Sequence, residues 1–165
     1  MNPIDWLCLH APDFKELSNE EREAISHFSL LWSFFEAEAL GTNASANAIL
    51  ALTQDWASHG QLNLGAFASG VAYFQTRYFA NGTPTEHLHG LALRANDNPA
   101  LVHSMLKGEA LSPAETVAAL LIVVYRLRNN LFHGAKWAYG IRGQLANFTH
   151  ANAALMAALE TQGYL

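Results

Sequence analysis

The stretch of the chain with the most varied chemistry is RLRNNLFHGAKW, residues 126–137. It contains two arginines and a lysine, which attract anions, two asparagine amides, and a histidine, a residue type that exchanges protons between about pH 5 and 8. These side chains directly follow the apolar run AALLIVVY. A cluster of this kind at the end of an apolar helix is either a solvated helix terminus or a binding site.

The helix that must position this cluster is predicted from local signals. Ser112 and Glu115 are spaced as a capping box, and Pro113 suits the first helical position. Gly134 is placed to end the helix, since glycine readily adopts the left-handed conformation found there. The sequence therefore predicts a motif helix over about residues 113–133.

Projection of this helix at about 100° per residue separates two sides. One side is apolar, whereas the polar residues of the cluster fall opposite it within an arc of about 100°. The predicted polar patch consists of Arg126, Asn129, Asn130 and His133. One interpretation is a solvated face whose cation and imidazole suit the negative C-terminal end of a helix dipole. The other is a functional surface.

The remainder of the chain also predicts helices. Ser18 and Glu21 form a second capping box, and Gly41 is positioned to end that helix. No alternating strand pattern and no repeat of 20 to 50 residues competes over a comparable length. The fold class is an all-α bundle of five to seven helices, with the cluster late in the penultimate long helix. Beyond an N-terminal arm over 1–17, the other elements are helices over about 18–41, 45–58, 64–80 and 142–162, and short helices within 83–108.

Length and composition indicate one domain, residues 1–165. Hydrophobic residues make up 51% of the chain and charged residues 14%, which is typical of a protein with a packed core. The longest apolar run has only about ten residues, too few to cross a bilayer, so no membrane partner is expected. The N-terminal stretch lacks the basic flank and apolar segment of a secretory signal, so a cytoplasmic location is the expectation.

Charge is distributed unevenly along the chain. The chain has 14 acidic and nine basic residues, a net charge of −5. Residues 116–159 contain no Asp or Glu, but they include Arg126, Arg128, Lys136 and Arg142. This segment therefore carries +4, while the remainder carries −9. A local positive segment can attract a polyanion to one place, although four basic residues are also compatible with an ordinary solvated surface.

The segment RNNLFHG, residues 128–134, resembles the signature of the HEPN superfamily (higher eukaryotes and prokaryotes nucleotide-binding domains). That signature is an arginine followed, after four to six residues, by a histidine late in a core helix. Arg128 and His133 match the four-residue spacing, and Asn129 occupies the position where the family often has a polar residue. Arg126 and His133 match the six-residue spacing. The long apolar helix before the motif and the final helix after it also fit the family.

The resemblance implies a homodimer in which two copies of the motif face each other across a cleft. Many active members are metal-independent endoribonucleases, often toxins or antiviral effectors, so RNA and a cognate antitoxin or regulatory protein are the expected partners. Other members are noncatalytic modules that bind nucleotides, nucleic acids or proteins, which is the alternative. No cofactor is expected. HLH, residues 87–89, lacks the further ligands of a metal site, so no metal is expected either.

The resemblance also implies roles for individual residues. His133 would act as general acid or base, and Arg128 would hold the phosphate as negative charge develops. Asn129 would orient either of them. The predicted RNA-binding residues are Arg126, Asn130 and Lys136. Trp137 and Tyr139 would either stack on a base or pack against a dimer partner.

Helix geometry and the family pattern favour different arginines. On a straight helix Arg128 lies about 140° from His133, whereas Arg126 is nearly aligned with it. Three arrangements are open at this point: the helix loosens before residue 131, Arg128 reaches around its own helix, or Arg126 binds the phosphate while Arg128 holds the dimer. We favour Arg128, because motif residues often lie where regular geometry fails.

Overall fold

The computed structural model describes residues 1–11, 13–134 and 140–163. These residues form α-helices joined by short turns and one two-stranded antiparallel ribbon, so the predicted all-α fold class is confirmed. The described residues form eight α-helices instead of the predicted five to seven, because the predicted N-terminal arm also contains one. The helices are α1 (Pro3–His10), α2 (Asn19–Leu40), α3 (Ala46–Ser58), α4 (Ala68–Tyr78), α5 (Glu86–Leu91), α6 (Pro99–Leu106), α7 (Pro113–Phe132) and α8 (Leu145–Gln162). Short 3-10 turns cover Phe14–Glu16, Leu64–Phe67 and Ala95–Asp97, and the strands are β1 (Phe79–Ala80) and β2 (Thr83–Pro84).

The two longest helices begin at the capping boxes that the sequence predicts. The Ser18 hydroxyl accepts a hydrogen bond from the Glu21 amide at 3.1 Å, and the Glu21 carboxylate accepts one from the Ser18 amide at 2.9 Å. Ser112 and Glu115 form the same reciprocal pair at the start of α7. Each box satisfies amide groups that the first turn of a helix leaves unpaired. Both predicted starts are confirmed.

Helix α7 lies at the centre of the bundle. It packs most extensively against α3 and also contacts α4, α5, α6 and α8, while α2 packs mainly on α8. Every residue from Val117 to Val124 is buried, so α7 has no solvated side along this part of its length. A helix buried on all sides needs the near-continuous apolar run that this one has. Three of the four residues of the predicted polar patch, Arg126, Asn129 and Asn130, are buried as well. Of that patch only His133, at the end of the helix, is exposed.

Three elements differ from their predicted bounds. The N-terminal arm contains α1 and a 3-10 turn, and the final helix begins at Leu145 instead of Arg142. The predicted helix over 64–80 starts as a 3-10 turn and ends at Tyr78, because Phe79 and Ala80 pair with Pro84 and Thr83 across a tight turn. Asn81 and Gly82 make that turn with positive φ angles of 51° and 75°. Such angles favour glycine and tolerate asparagine.

Candidate functional site

Arg128 and His133 lie at the C-terminal end of α7, where the central helix reaches the surface. His133 is the exposed residue after the last helical position, and its amide donates to the Asn129 carbonyl at 2.9 Å. Gly134 follows with a φ of 76°, which ends the helix as predicted. The Arg128 side chain is 29% exposed. The structure thus presents a solvent-accessible imidazole and a partly accessible guanidinium at one helix end.

Asn129 connects these two residues. Its side-chain oxygen accepts a hydrogen bond from Arg128 Nη1 at 3.0 Å, and its backbone carbonyl accepts the His133 amide. Asn129 itself is only 5% exposed. It can therefore orient Arg128, as the sequence predicts for this amide, but it is too buried to touch a ligand directly.

Arg128 has two further contacts. Its Nη2 lies 3.6 Å from a carboxylate oxygen of Glu36 on α2, and its guanidinium carbon lies 5.4 Å from the centre of the Phe132 ring. The Phe132 side chain is largely exposed, so this aromatic ring and the guanidinium share one surface. Stacking of a guanidinium on a ring and pairing with a carboxylate both restrict its rotamers. The pose of Arg128 is therefore set by three neighbours.

Arg126 lies inside the protein instead of on the predicted patch. Its side chain is 3% exposed, and its Nε lies 3.4 Å from a carboxylate oxygen of Asp97, which is equally buried. Asp97 also accepts a hydrogen bond from the Arg94 amide at 2.7 Å. Burial lowers the pKa of Arg126, and the charge of Asp97 partly offsets that shift. Arg126 therefore forms an internal ion pair, and its side chain is too buried for the RNA contact that was predicted for it.

Asn130 is buried beside Arg126 and binds a neighbouring segment. Its side-chain NH₂ donates to the carbonyls of Gly90 and Leu91 at 3.2 and 3.1 Å, and its oxygen accepts from Arg126 Nη2 at 3.3 Å. These carbonyls belong to the last turn of α5, where helices leave acceptors unpaired. Asn130 therefore holds α5 against α7, and the predicted RNA contact is not available to its buried side chain.

The structure places the two arginines differently, which bears on the three arrangements expected for them. Helix α7 continues without interruption to Phe132, so it does not loosen before residue 131. Arg126 points into the core, so it is not the arginine that lies with His133 at the surface. Arg128 leaves the helix toward Glu36 and across Phe132. Of the two arginines, only Arg128 has a solvent-accessible side chain.

The positive segment is less positive in space than in sequence. Each arginine of that segment faces an acid from another part of the chain: Arg126 faces Asp97, Arg128 faces Glu36, and Arg142 lies 3.9 Å from Asp13. Each contact offsets local positive charge, most strongly for the buried pair. Lys136, Trp137 and Tyr139 lie outside the described residues.

Two residues of this region, Glu36 and Asp97, were not predicted from the sequence. Both come from segments distant from the motif helix, and Asp97 belongs to the irregular segment RANDNP. The one local signal is that Glu36 follows Trp32 by four residues, which places the two on one helix face. The Trp32 indole N–H does donate to Glu36, at 2.7 Å.

Other kinds of site are not found in the part of the chain that the structure describes. There, no three His, Cys, Asp or Glu side chains are grouped closely enough to hold a metal ion. None of the helices described is both long and apolar enough to span a bilayer. Comparisons of the chain with protein-family models, with curated proteins and with solved structures find no match. A functional interpretation therefore depends on the motif and on the geometry around it.

Proposed function

We propose that this protein is a metal-independent endoribonuclease of the HEPN type, active as a homodimer in the cytoplasm. The observation that carries the proposal is the exposed His133 just over one turn beyond a partly exposed Arg128 that is oriented by Asn129. The motif stands at the surface end of the central helix of an all-helical bundle, which is the placement that the resemblance implies. RNA is the proposed substrate.

The proposed reaction needs only groups that this helix end supplies. The ribose 2′-oxygen attacks the adjacent phosphorus, and the bond from phosphorus to the 5′-oxygen breaks. One imidazole removes the 2′-hydroxyl proton or gives a proton to the leaving 5′-oxygen. Arg128 binds the phosphate oxygens as their negative charge increases. The products carry a 2′,3′-cyclic phosphate and a 5′-hydroxyl.

The surface beside the motif supports a second copy of the chain as partner. Phe132 is 55% exposed although it neighbours Arg128 and His133. An aromatic side chain in this position would lose its contact with water if another protomer covered it, and burial of aromatic rings is a large part of the energy of many interfaces. A dimer formed here would bring two copies of His133 to one cleft. One copy could then act as base and the other as acid.

The test is cleavage of labelled RNA in the presence of EDTA. We expect cleavage by the purified protein, products with cyclic phosphate ends, and a loss of about 10²-fold or more in His133→Ala. His89→Ala is the matched control, because His89 is exposed on α5 and belongs to no part of the motif. Absence of cleavage, or equal cleavage by both variants, would contradict the proposal.

One observation favours a noncatalytic module instead. The arginines of the positive segment all face carboxylates, so little positive charge remains for RNA among the residues described. In that case the helix end binds a nucleotide, a nucleic acid or a protein such as an antitoxin. RNA binding without scission, weakened by Arg128→Ala and indifferent to His133→Ala, is the result that would select this alternative.

A further inference from the structure

We infer that Glu36 is a positioning residue of the proposed site, and that it raises turnover while weakening the binding of RNA. The inference rests on the proposed function, because it assigns to Glu36 the task of fixing the arginine that holds the phosphate. It follows from two contacts of the Glu36 carboxylate, one with Trp32 and one with Arg128. Neither the motif nor its spacing includes this residue.

The Glu36 carboxylate is itself held in place. It accepts the indole N–H of Trp32 at 2.7 Å. Trp32 is 1% exposed, and its ring stacks on Tyr125 of α7 with the ring centres 5.7 Å apart. Tyr125 precedes Arg128 by three residues on the same helix. The carboxylate is therefore anchored to the core at the level of α7 where the arginine emerges.

Arg128 receives its orientation from this carboxylate and from Asn129. Glu36 lies at Nη2, and the Asn129 oxygen accepts from Nη1. A guanidinium restrained at both terminal nitrogens loses little conformational freedom when a phosphate binds to its exposed part. This kind of restraint favours the reaction step, in which a small displacement of a charged group is costly.

The contact between Glu36 and Arg128 is expected to weaken the affinity for RNA, although it favours the reaction step. A carboxylate 3.6 Å from the guanidinium offsets part of its positive charge. RNA binding depends strongly on the number of unneutralised cations that meet the phosphate backbone. Glu36 therefore weakens RNA binding while it fixes Arg128. A residue that merely supported the fold would not act on the two steps in opposite directions.

The experiment measures kcat and KM for RNA cleavage in Glu36→Gln. Glutamine keeps an oxygen that can accept the Trp32 N–H, but it removes the charge that pairs with Arg128. We expect kcat to fall about 10- to 100-fold and KM to fall as well. Glu36→Asp retains the charge and should recover part of kcat. Glu23→Gln is the matched control, since Glu23 is exposed on the same helix and the change in net charge is identical.

A second comparison shows whether Glu36 acts through Arg128. In an Arg128→Ala background, Glu36→Gln should leave kcat unchanged, because the group that it orients is gone. Wild-type kcat and KM in Glu36→Gln, together with inactive Arg128→Ala, would overturn this inference and leave the proposed function intact. A rise in KM with a fall in melting temperature would assign Glu36 a structural role and also overturn it. No cleavage by the wild-type protein would overturn both.

Discussion

Arg126 and Arg128 are two residues apart on α7, and each lies beside one carboxylate and one asparagine, but the first is buried and the second is partly exposed. Arg126 is buried with Asp97 and Asn130 and holds α5 and the turn before α6 against the central helix. Arg128 lies at the surface with Asn129, Glu36 and Phe132, just over one turn before His133. The first group joins elements of the fold, and the second leaves polar atoms accessible.

This difference shows that the residue types in a motif do not assign their own roles. Both arginines match a permitted spacing to His133, and both are bound by a carboxylate. What distinguishes them is the packing around each. Asp97, in the turn before α6, and the last turn of α5 lie against the side of α7 that bears Arg126 and Asn130, whereas Glu36 of α2 covers only part of Arg128.

The largest expected effect is on stability when the buried arginine is removed. Arg126→Ala leaves the Asp97 carboxylate buried without its cation, which should lower the free energy of unfolding by about 3 kcal/mol or more. Arg128→Ala removes a partly exposed pair and should cost less than about 1 kcal/mol. Urea unfolding followed by circular dichroism measures both. Equal losses would show that the two regions do not differ as described.

The next effect is on activity, and it is expected at the accessible arginine. Arg128→Ala should lower kcat for RNA cleavage about 10²- to 10³-fold, because it removes a donor to the phosphate in the transition state. Arg142→Ala is the matched control, since Arg142 is an exposed arginine of the same positive segment. Single-turnover cleavage is the measurement. Full activity of Arg128→Ala would remove Arg128 from the proposed site.

A smaller effect is expected when the link between α5 and α7 is cut. Asn130→Ala leaves the carbonyls of Gly90 and Leu91 without their donor, which should cost about 1–3 kcal/mol. Chemical denaturation measures the loss, and hydrogen exchange should show increased opening around residues 86–97. Asn47→Ala, at an exposed position of α3, should change stability by less than about 0.5 kcal/mol. If the two asparagine variants behave alike, Asn130 does not join these helices.

The smallest effect is expected at His150, a partly buried histidine of α8. The His150 ring stacks on Tyr73 with centres 4.2 Å apart, and burial lowers the pKa of His150. The unfolded chain therefore takes up this proton first as the pH falls through about 6.5, and stability falls with it. Melting temperatures at pH 7.5 and 5.5 should diverge less in His150→Gln than in the wild-type protein. Equal divergence would mean that His150 does not contribute.

Much of the helical framework was predictable because its signals are local. A capping box operates within four residues, so Ser18 and Ser112 mark helix starts whatever packs nearby. The site was predictable only in part. The motif located Arg128, Asn129 and His133 at one helix end, but the outward placement predicted for Arg126 and Asn130 assumed that no other element covers that side of α7. In the structure, helix α5 and the turn at Ala95–Asp97 cover that side.

The sequence by itself determined where the two longest helices begin and that cation, amide and imidazole groups meet at the end of the most apolar one. Only the tertiary structure decided which of these groups remain accessible and which acids face the arginines. The physical reason is range. Capping and helical periodicity depend on residues a few positions apart, whereas desolvation and charge pairing depend on whichever side chains the fold brings within a few ångströms.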